Sequence, residues 1–126
     1  MTKALVVDDS RATRSALRRI LQGVGFEVVE AEHGGFALDA LHGDPSIELV
    51  LVDWNMPVMD GFTLIKAIRK ERQWAMLPIM MVSAEVDQRQ IARAVMAGAD
   101  EYVMKPFDEA ILMDKLALVG FGPAGA

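Results

Sequence analysis

Five short apolar runs recur along the chain, and each stops abruptly at a polar residue. They are Ala4-Leu5-Val6-Val7, the stretch from Phe26 to Ala31 with β-branched Val28 and Val29, Leu49-Val50-Leu51-Val52, Ile79-Met80-Met81-Val82 and Tyr102-Val103-Met104. The purest of these runs show no apolar–polar alternation, so both faces of the strands must be covered, as in a parallel sheet. Between them lie longer stretches with apolar residues at helical spacing. These are Ala16, Leu17, Ile20 and Leu21 after the helix cap Ser10; Gly34-Gly35 through Leu41; and Phe62, Ile65 and Ile68. Two more are Ile91, Ala94 and Val95 after Asp87, and Leu112, Leu116 and Val119. Strict strand–helix alternation with right-handed crossovers predicts an α/β sandwich, a doubly wound five-stranded parallel sheet.

Composition narrows what such a sandwich can do. The chain has 126 residues and 52% hydrophobic content, enough for one domain with a full core and too apolar for a disordered chain. We therefore expect a single domain over 1–126 with a short tail at 120–126. Eighteen acidic residues against thirteen basic ones give a net charge of −5, which disfavours direct contact with nucleic acid. The absence of cysteine excludes disulfides and thiolate chemistry, and two histidines cannot build an imidazole-rich metal site. The N-terminus reaches Asp8 too soon for a signal peptide, and no apolar run approaches the roughly 20 residues of a membrane span. The expected location is the cytoplasm, without membrane insertion.

Function in a parallel α/β sheet gathers at the carboxyl ends of the strands. The first strand ends in Asp8-Asp9, the third in Asp53, the fourth in Ser83 and the fifth in Lys105. The second ends in Ala31-Glu32, which fits a strand outside the crevice. Three carboxylates close together repel unless a cation joins them. A hard divalent ion suits oxygen donors, and Mg²⁺ suits them best because it keeps waters and leaves room for a phosphate. Lys105 and Ser83 add a positive charge and a hydroxyl donor, completing a clamp for a phosphoryl group. Asp53, between the acidic pair and the Ser83/Lys105 pair, is the candidate nucleophile for an aspartyl phosphate. Each of these residues alone reads as a cap or loop residue; their common placement gives them meaning.

The segments Val7-Asp8-Asp9-Ser10, Asp53-Trp54-Asn55-Met56-Pro57, Met59-Asp60-Gly61, Ser83-Ala84-Glu85, Ala97-Gly98-Ala99 and Lys105-Pro106-Phe107 stand in order on the expected elements. On these motifs the chain, from Lys3 to about Val119, resembles the receiver domain of response regulators, in particular the stand-alone chemotaxis kind. The resemblance implies a flavodoxin-like sandwich with strand order 2-1-3-4-5. It implies that Asp53 is the phosphoacceptor and that Mg²⁺, with Mn²⁺ as a substitute, is held by Asp9, Asp53 and the Asn55 backbone carbonyl, with Asp8 acting through water. Lys105 and Ser83 would contact the phosphoryl group, and Tyr102 would be the aromatic switch. Asn55 and Glu85 would set the dephosphorylation rate. A cis Lys105-Pro106 bond is implied as well.

The same resemblance implies a phosphorylation switch in a two-component relay, not an enzyme beyond its own phosphorylation and dephosphorylation. Its partners would be a histidine kinase or phosphotransfer protein upstream and a protein target downstream. That target would dock on the face of the fourth helix, fifth strand and fifth helix. The few residues after Val119 leave no space for an output domain, which favours a stand-alone regulator; a receiver cut from a longer regulator is the alternative. A flavodoxin-like electron carrier would need a Ser/Thr/Gly-rich loop where Asp8-Asp9-Ser10-Arg11 stands, and a phosphatase acting on outside substrates would need a substrate pocket. Three further expectations concern single residues. His33 is read as the entry to the second helix rather than a ligand. Arg11, Arg14, Arg18 and Arg19 are read as a solvated face, ahead of a docking face. Met96, Met104 and Met113 are placed on the output elements, Met104 being the best candidate for an exposed one.

Overall fold

The computed structural model describes residues 2–84 and 87–122. Five strands form one parallel sheet: β1 (Lys3–Val7), β2 (Glu27–Ala31), β3 (Ile47–Val52), β4 (Ile79–Ser83) and β5 (Glu101–Met104). Their order is β2-β1-β3-β4-β5, as the resemblance implied. The helices are α1 (Arg11–Gly23), α2 (Gly34–Gly43), α3 (Gly61–Arg69), α4 (Gln88–Ala97) and α5 (Glu109–Leu118). A 3₁₀ turn at Arg72–Trp74, absent from the sequence reading, follows α3.

Strand residues alternate between two cores because successive side chains point to opposite faces. Leu5, Val7, Val50, Val52, Ile79, Met81 and Tyr102 pack with Ala37 and Leu41 of α2, Leu64, Ile65 and Ile68 of α3, and Ala94 of α4. Ala4, Val6, Leu49, Leu51, Met80, Val82 and Val103 pack with Leu17 and Leu21 of α1 and Leu112 and Leu116 of α5. The central runs lack alternation because both their faces are buried in this way. Beyond α5, Phe121 returns to the second core, its ring 5.5 Å from that of Phe26.

Helix starts are set by side-chain caps that satisfy N–H groups left without intrahelical partners. Ser10, Asp60, Asp87 and Asp108 each accept a backbone N–H at the start of α1, α3, α4 and α5. His33 caps α2, its Nδ1 accepting the Phe36 N–H at 3.4 Å, so it is the helix entry that the sequence suggested. Two expectations on helix faces change. Ala16 is exposed rather than part of the buried stripe. Val95 turns outward, so α4 buries Ala94 and only part of Ile91.

Arg69 fastens the far end of α3. Its guanidinium donates to the carbonyls of Gly98 (2.8 Å) and Trp74 (2.7 Å) and pairs with Asp100 at 3.0 Å. Gly98 has φ +126°, and a Cβ there would run into the Arg69 side chain. This position needs glycine both for its backbone and for the close approach of the arginine.

Candidate functional site

Strand register places the site. Val7 of β1 lies beside Val52 of β3, so the next residues, Asp8 and Asp53, emerge side by side. Ser83 of β4 lies beside Met104 of β5, so Lys105 emerges next to Ser83. The ladder runs on past the strands. The Asp8 N–H donates to Ala31 O (3.1 Å), the Asp53 N–H to Val7 O (2.9 Å) and the Lys105 N–H to Ser83 O (2.9 Å). Three of the charged residues thus hang from backbone that the sheet still holds in place.

Their side chains meet. Lys105 Nζ lies 3.0 Å from Asp8 Oδ2 and 3.3 Å from Asp53 Oδ1. Asp8 also accepts the Ser10 N–H at 2.8 Å. Carboxylate oxygens of Asp8, Asp9 and Asp53 all lie within 4.8 Å of one another, Asp8 and Asp53 buried and Asp9 exposed. Burial, and then the neighbouring Asp8 charge, push the Asp53 carboxyl above its ordinary value; Lys105 and the Asn55 backbone N–H oppose the shift. Burial pulls the Lys105 ammonium down, but its hydrogen bond to Asp8 and the charges of Asp53 and Asp8 outweigh that, and its pKa is raised. Lys105 therefore stays charged.

The donor set fits a small hard divalent cation. It offers carboxylate oxygens, with no thiolate in the chain, and His33 and His42 are engaged elsewhere, at the α2 cap and beside Glu71. The open side formed by exposed Asp9 and Asn55 leaves room for water and a phosphate.

The remaining expected residues fall around this centre. Ser83 is fully buried at the end of β4, and Tyr102 is buried in the core beside α4. Trp54, directly after Asp53, is buried, and its ring stacks on Phe62 of α3 at 5.6 Å. The Lys105-Pro106 peptide is cis. Glu85 lies outside the described residues.

Two residues take on structural roles that the sequence did not assign them. Arg14 was grouped with a solvated basic face, yet its Nη1 donates to the Asp8 carbonyl (2.6 Å) and its Nε to Glu30 of β2 (3.0 Å). Arg18 also pairs with Glu30, at 2.8 Å, which leaves Arg11 and Arg19 as the exposed arginines of α1. Gly61 donates its N–H to Trp54 O (2.9 Å), and a Cβ there would collide with the Asp53 carbonyl. A helix that begins with glycine immediately after a capping Asp was the available sign. Of the three methionines placed on the output elements, Met96 and Met104 are exposed. Met113 instead lines a cleft with Phe26, Leu116 and Phe121.

A parallel 2-1-3-4-5 sheet bearing an acidic cluster and a lysine at its carboxyl edge defines a phosphoryl-handling α/β switch protein. Residues 4–117 match the response regulator receiver domain, and the chain belongs to that family. It is 37% identical over 118 residues to the chemotaxis protein CheY1 of Helicobacter pylori, spanning 93% of this chain and 95% of that protein. It is 39% identical over 115 residues to a CheY homolog of Campylobacter jejuni, spanning 90% and 88% of the two chains. The crystallised chemotaxis protein CheY4 of Vibrio cholerae superposes with a TM-score of 0.89 at 34% identity, over 94% of this chain and 98% of that one. The protein is a phosphorylation-regulated switch of two-component signalling, of the CheY-like kind. Receiver domains bind Mg²⁺ at an acidic pocket, and this chain has an Asp8/Asp9/Asp53 cluster. Among the described residues no helix is long and apolar enough to cross a membrane.

Proposed function

We propose that Asp53 accepts a phosphoryl group from a phosphohistidine donor, a histidine kinase or phosphotransfer protein, and that the exposed α4–β5–α5 face then binds a protein target. The observation that carries this reading is the Lys105 ammonium set between two buried carboxylates, with the third within ligand distance of both. Asp9, Asp53 and the Asn55 carbonyl would hold Mg²⁺ directly, and Asp8 through water. The ion supplies positive charge to the phosphoryl oxygens as charge shifts during transfer.

The other steps belong to the chain's own side chains. An Asp53 oxygen forms the new P–O bond as the donor's P–N bond breaks, and the bonding pair leaves with the imidazole. Lys105 releases Asp53 and follows a phosphoryl oxygen, and the Ser83 hydroxyl donates to another. Tyr102, at the same end of the sheet, would report this movement to the output face. That face carries Val95, Met104 and Ile111, large apolar side chains each more than 40% exposed. Exposed methionine and aliphatic groups suit an adaptable protein interface. Asn55 and Glu85, flanking the acceptor and the switch hydroxyl, would govern water access and hence the lifetime of the signal. The relatives named for chemotaxis support a role in motility control.

The test is labelling with acetyl phosphate and Mg²⁺, read by intact mass. Wild type gains one phosphoryl group and Asp53→Asn gains none. Full labelling of Asp53→Asn would overturn the acceptor assignment.

A further inference from the structure

Outside the phosphorylation site, the molecule carries a second built surface. A groove of about 450 Å³ runs between α3 and α4, on a different side of α4 from Val95. It is lined by apolar Phe62, Met96 and Ala97 and by the cations of Lys66, Arg69, Lys70 and Arg93. In a chain of net charge −5, no acidic residue lines it. Arg69 is bound to carbonyls and Asp100, but among the described residues Lys66, Lys70 and Arg93 form no ion pair.

Two of these cations converge on one ring. The Arg93 guanidinium lies 4.6 Å from the Phe62 centroid and Lys66 Nζ lies 5.2 Å from it. The aromatic face attracts both cations, and a guanidinium held near a ring can still offer its N–H groups to a carboxylate in a two-pronged bond. An anion between the two also relieves their mutual repulsion. Met96, 87% exposed, sits beside them and gives a pliable apolar contact.

We propose that the α3–α4 groove docks an acidic amphipathic segment of a partner protein, with apolar side chains on Phe62 and Met96 and carboxylates on Lys66, Lys70 and Arg93. A polyanionic nucleic acid or lipid surface fits less well, because the whole molecule is acidic and apolar Phe62, Met96 and Ala97 share the groove with its cations. Arginine and methionine around an apolar centre are the composition of a protein–protein contact. The groove also touches the phosphorylation site, since Phe62 stacks on Trp54, the neighbour of Asp53. Occupancy therefore reaches an indole that reports by fluorescence.

The experiment measures anisotropy of a labelled amphipathic helical peptide of about four turns, with leucines on one face and glutamates flanking them. Full-length wild type is expected to bind it, more weakly as salt rises. Lys66→Glu/Arg93→Glu should weaken binding about tenfold or more and Met96→Ser by a smaller factor, while Ile111→Ser on the other face leaves it unchanged. All four positions are exposed, so circular dichroism should be unaltered. A peptide with lysine in place of glutamate should prefer the charge-reversed variant. The proposal is overturned if the acidic peptide does not bind, if its binding survives the double reversal, or if duplex DNA or phosphatidylglycerol vesicles displace it.

Discussion

Replacing Gly61 with alanine sets two known effects against each other, and the structure decides between them. In an open helical position alanine is favoured over glycine by roughly 1 kcal/mol. Gly61 opens α3 directly after its cap Asp60, and its N–H donates to Trp54 O at 2.9 Å. That short bond draws the helix start onto the strand end. A Cβ at this position would overlap the Asp53 carbonyl oxygen and stand 2.9 Å from the Asp53 carbonyl carbon and 3.0 Å from Trp54 Cα. Carbon atoms in good contact sit about 3.5–4.0 Å apart, so the helix start would have to retreat by roughly 0.5–1 Å. No rotamer can relieve the overlap, because every atom met is backbone. Overpacking that moves main chain costs about 1–3 kcal/mol, and here it also strains the Trp54 hydrogen bond.

The expected outcome is a net loss of about 2 kcal/mol, or roughly 8 °C in melting temperature for a chain of this size. Gly23→Ala and Gly43→Ala supply the comparison. Neither Cβ would meet any atom within 4 Å, and neither residue has a left-handed φ. Both should be neutral or stabilising by up to about 1 kcal/mol. Urea unfolding followed by tryptophan fluorescence measures all three. The same variants should differ in acetyl phosphate labelling, since a shift of about 1 Å at a reacting group can cost up to about 10²-fold in rate. A Gly61→Ala protein as stable as Gly43→Ala, labelled at the wild-type rate, would refute the reasoning.

Three other outcomes follow from the site and its loop. Val58 holds φ +69°, rare for a β-branched residue, while Met59 N–H bonds back to Pro57 O at 2.7 Å; Val58→Asn should therefore stabilise by about 1 kcal/mol in chemical denaturation. Asp53 has a folded pKa raised above 3.8, so stability falls as pH climbs from that value through the raised one. Asp53→Asn in EDTA at pH 7 should accordingly melt higher than wild type, and a lower melting temperature would contradict the assigned burial and repulsion. Mg²⁺ at one hundred times its Kd should stabilise wild type by roughly 2.7 kcal/mol. Asp9→Ala should abolish that gain, as read by thermal melts with and without the ion.

The strand ends were legible because two simple periods meet there. An apolar run with no alternation marks a buried strand, and its first polar residue marks the carboxyl edge, so Asp8, Asp53 and Lys105 could be placed without any pairing information. Capping was legible for the same local reason, at Ser10 and at His33. What stayed hidden depends on elements distant in sequence. Arg14 looks like any exposed helix arginine until β2 brings Glu30 beside it. The basic groove exists only because α3 and α4 lie side by side, which puts Arg93 over Phe62. Periodicity misplaced Val95 and Ala16, because a small or β-branched residue at the edge of an apolar stripe can face either way.

The charge balance of the pocket explains why a fold this rigid can switch. Asp8, Asp9 and Asp53 with Lys105 leave a local excess of about two negative charges, which a single divalent cation neutralises. Phosphorylation at Asp53 would replace one negative charge by nearly two and carry them outward from the sheet. The backbone cannot follow, because ladder bonds extend one residue past β1, β3 and β5. The response must come from side chains that can exchange partners. Lys105 has two carboxylates to leave and a flexible stem on which to move. Trp54 and Phe62 lie one contact away on the α3 side, and Tyr102 lies on the α4 side. A fixed frame with a few exchangeable charges would confine the change to the surfaces around α4, where the proposed output face and the basic groove lie.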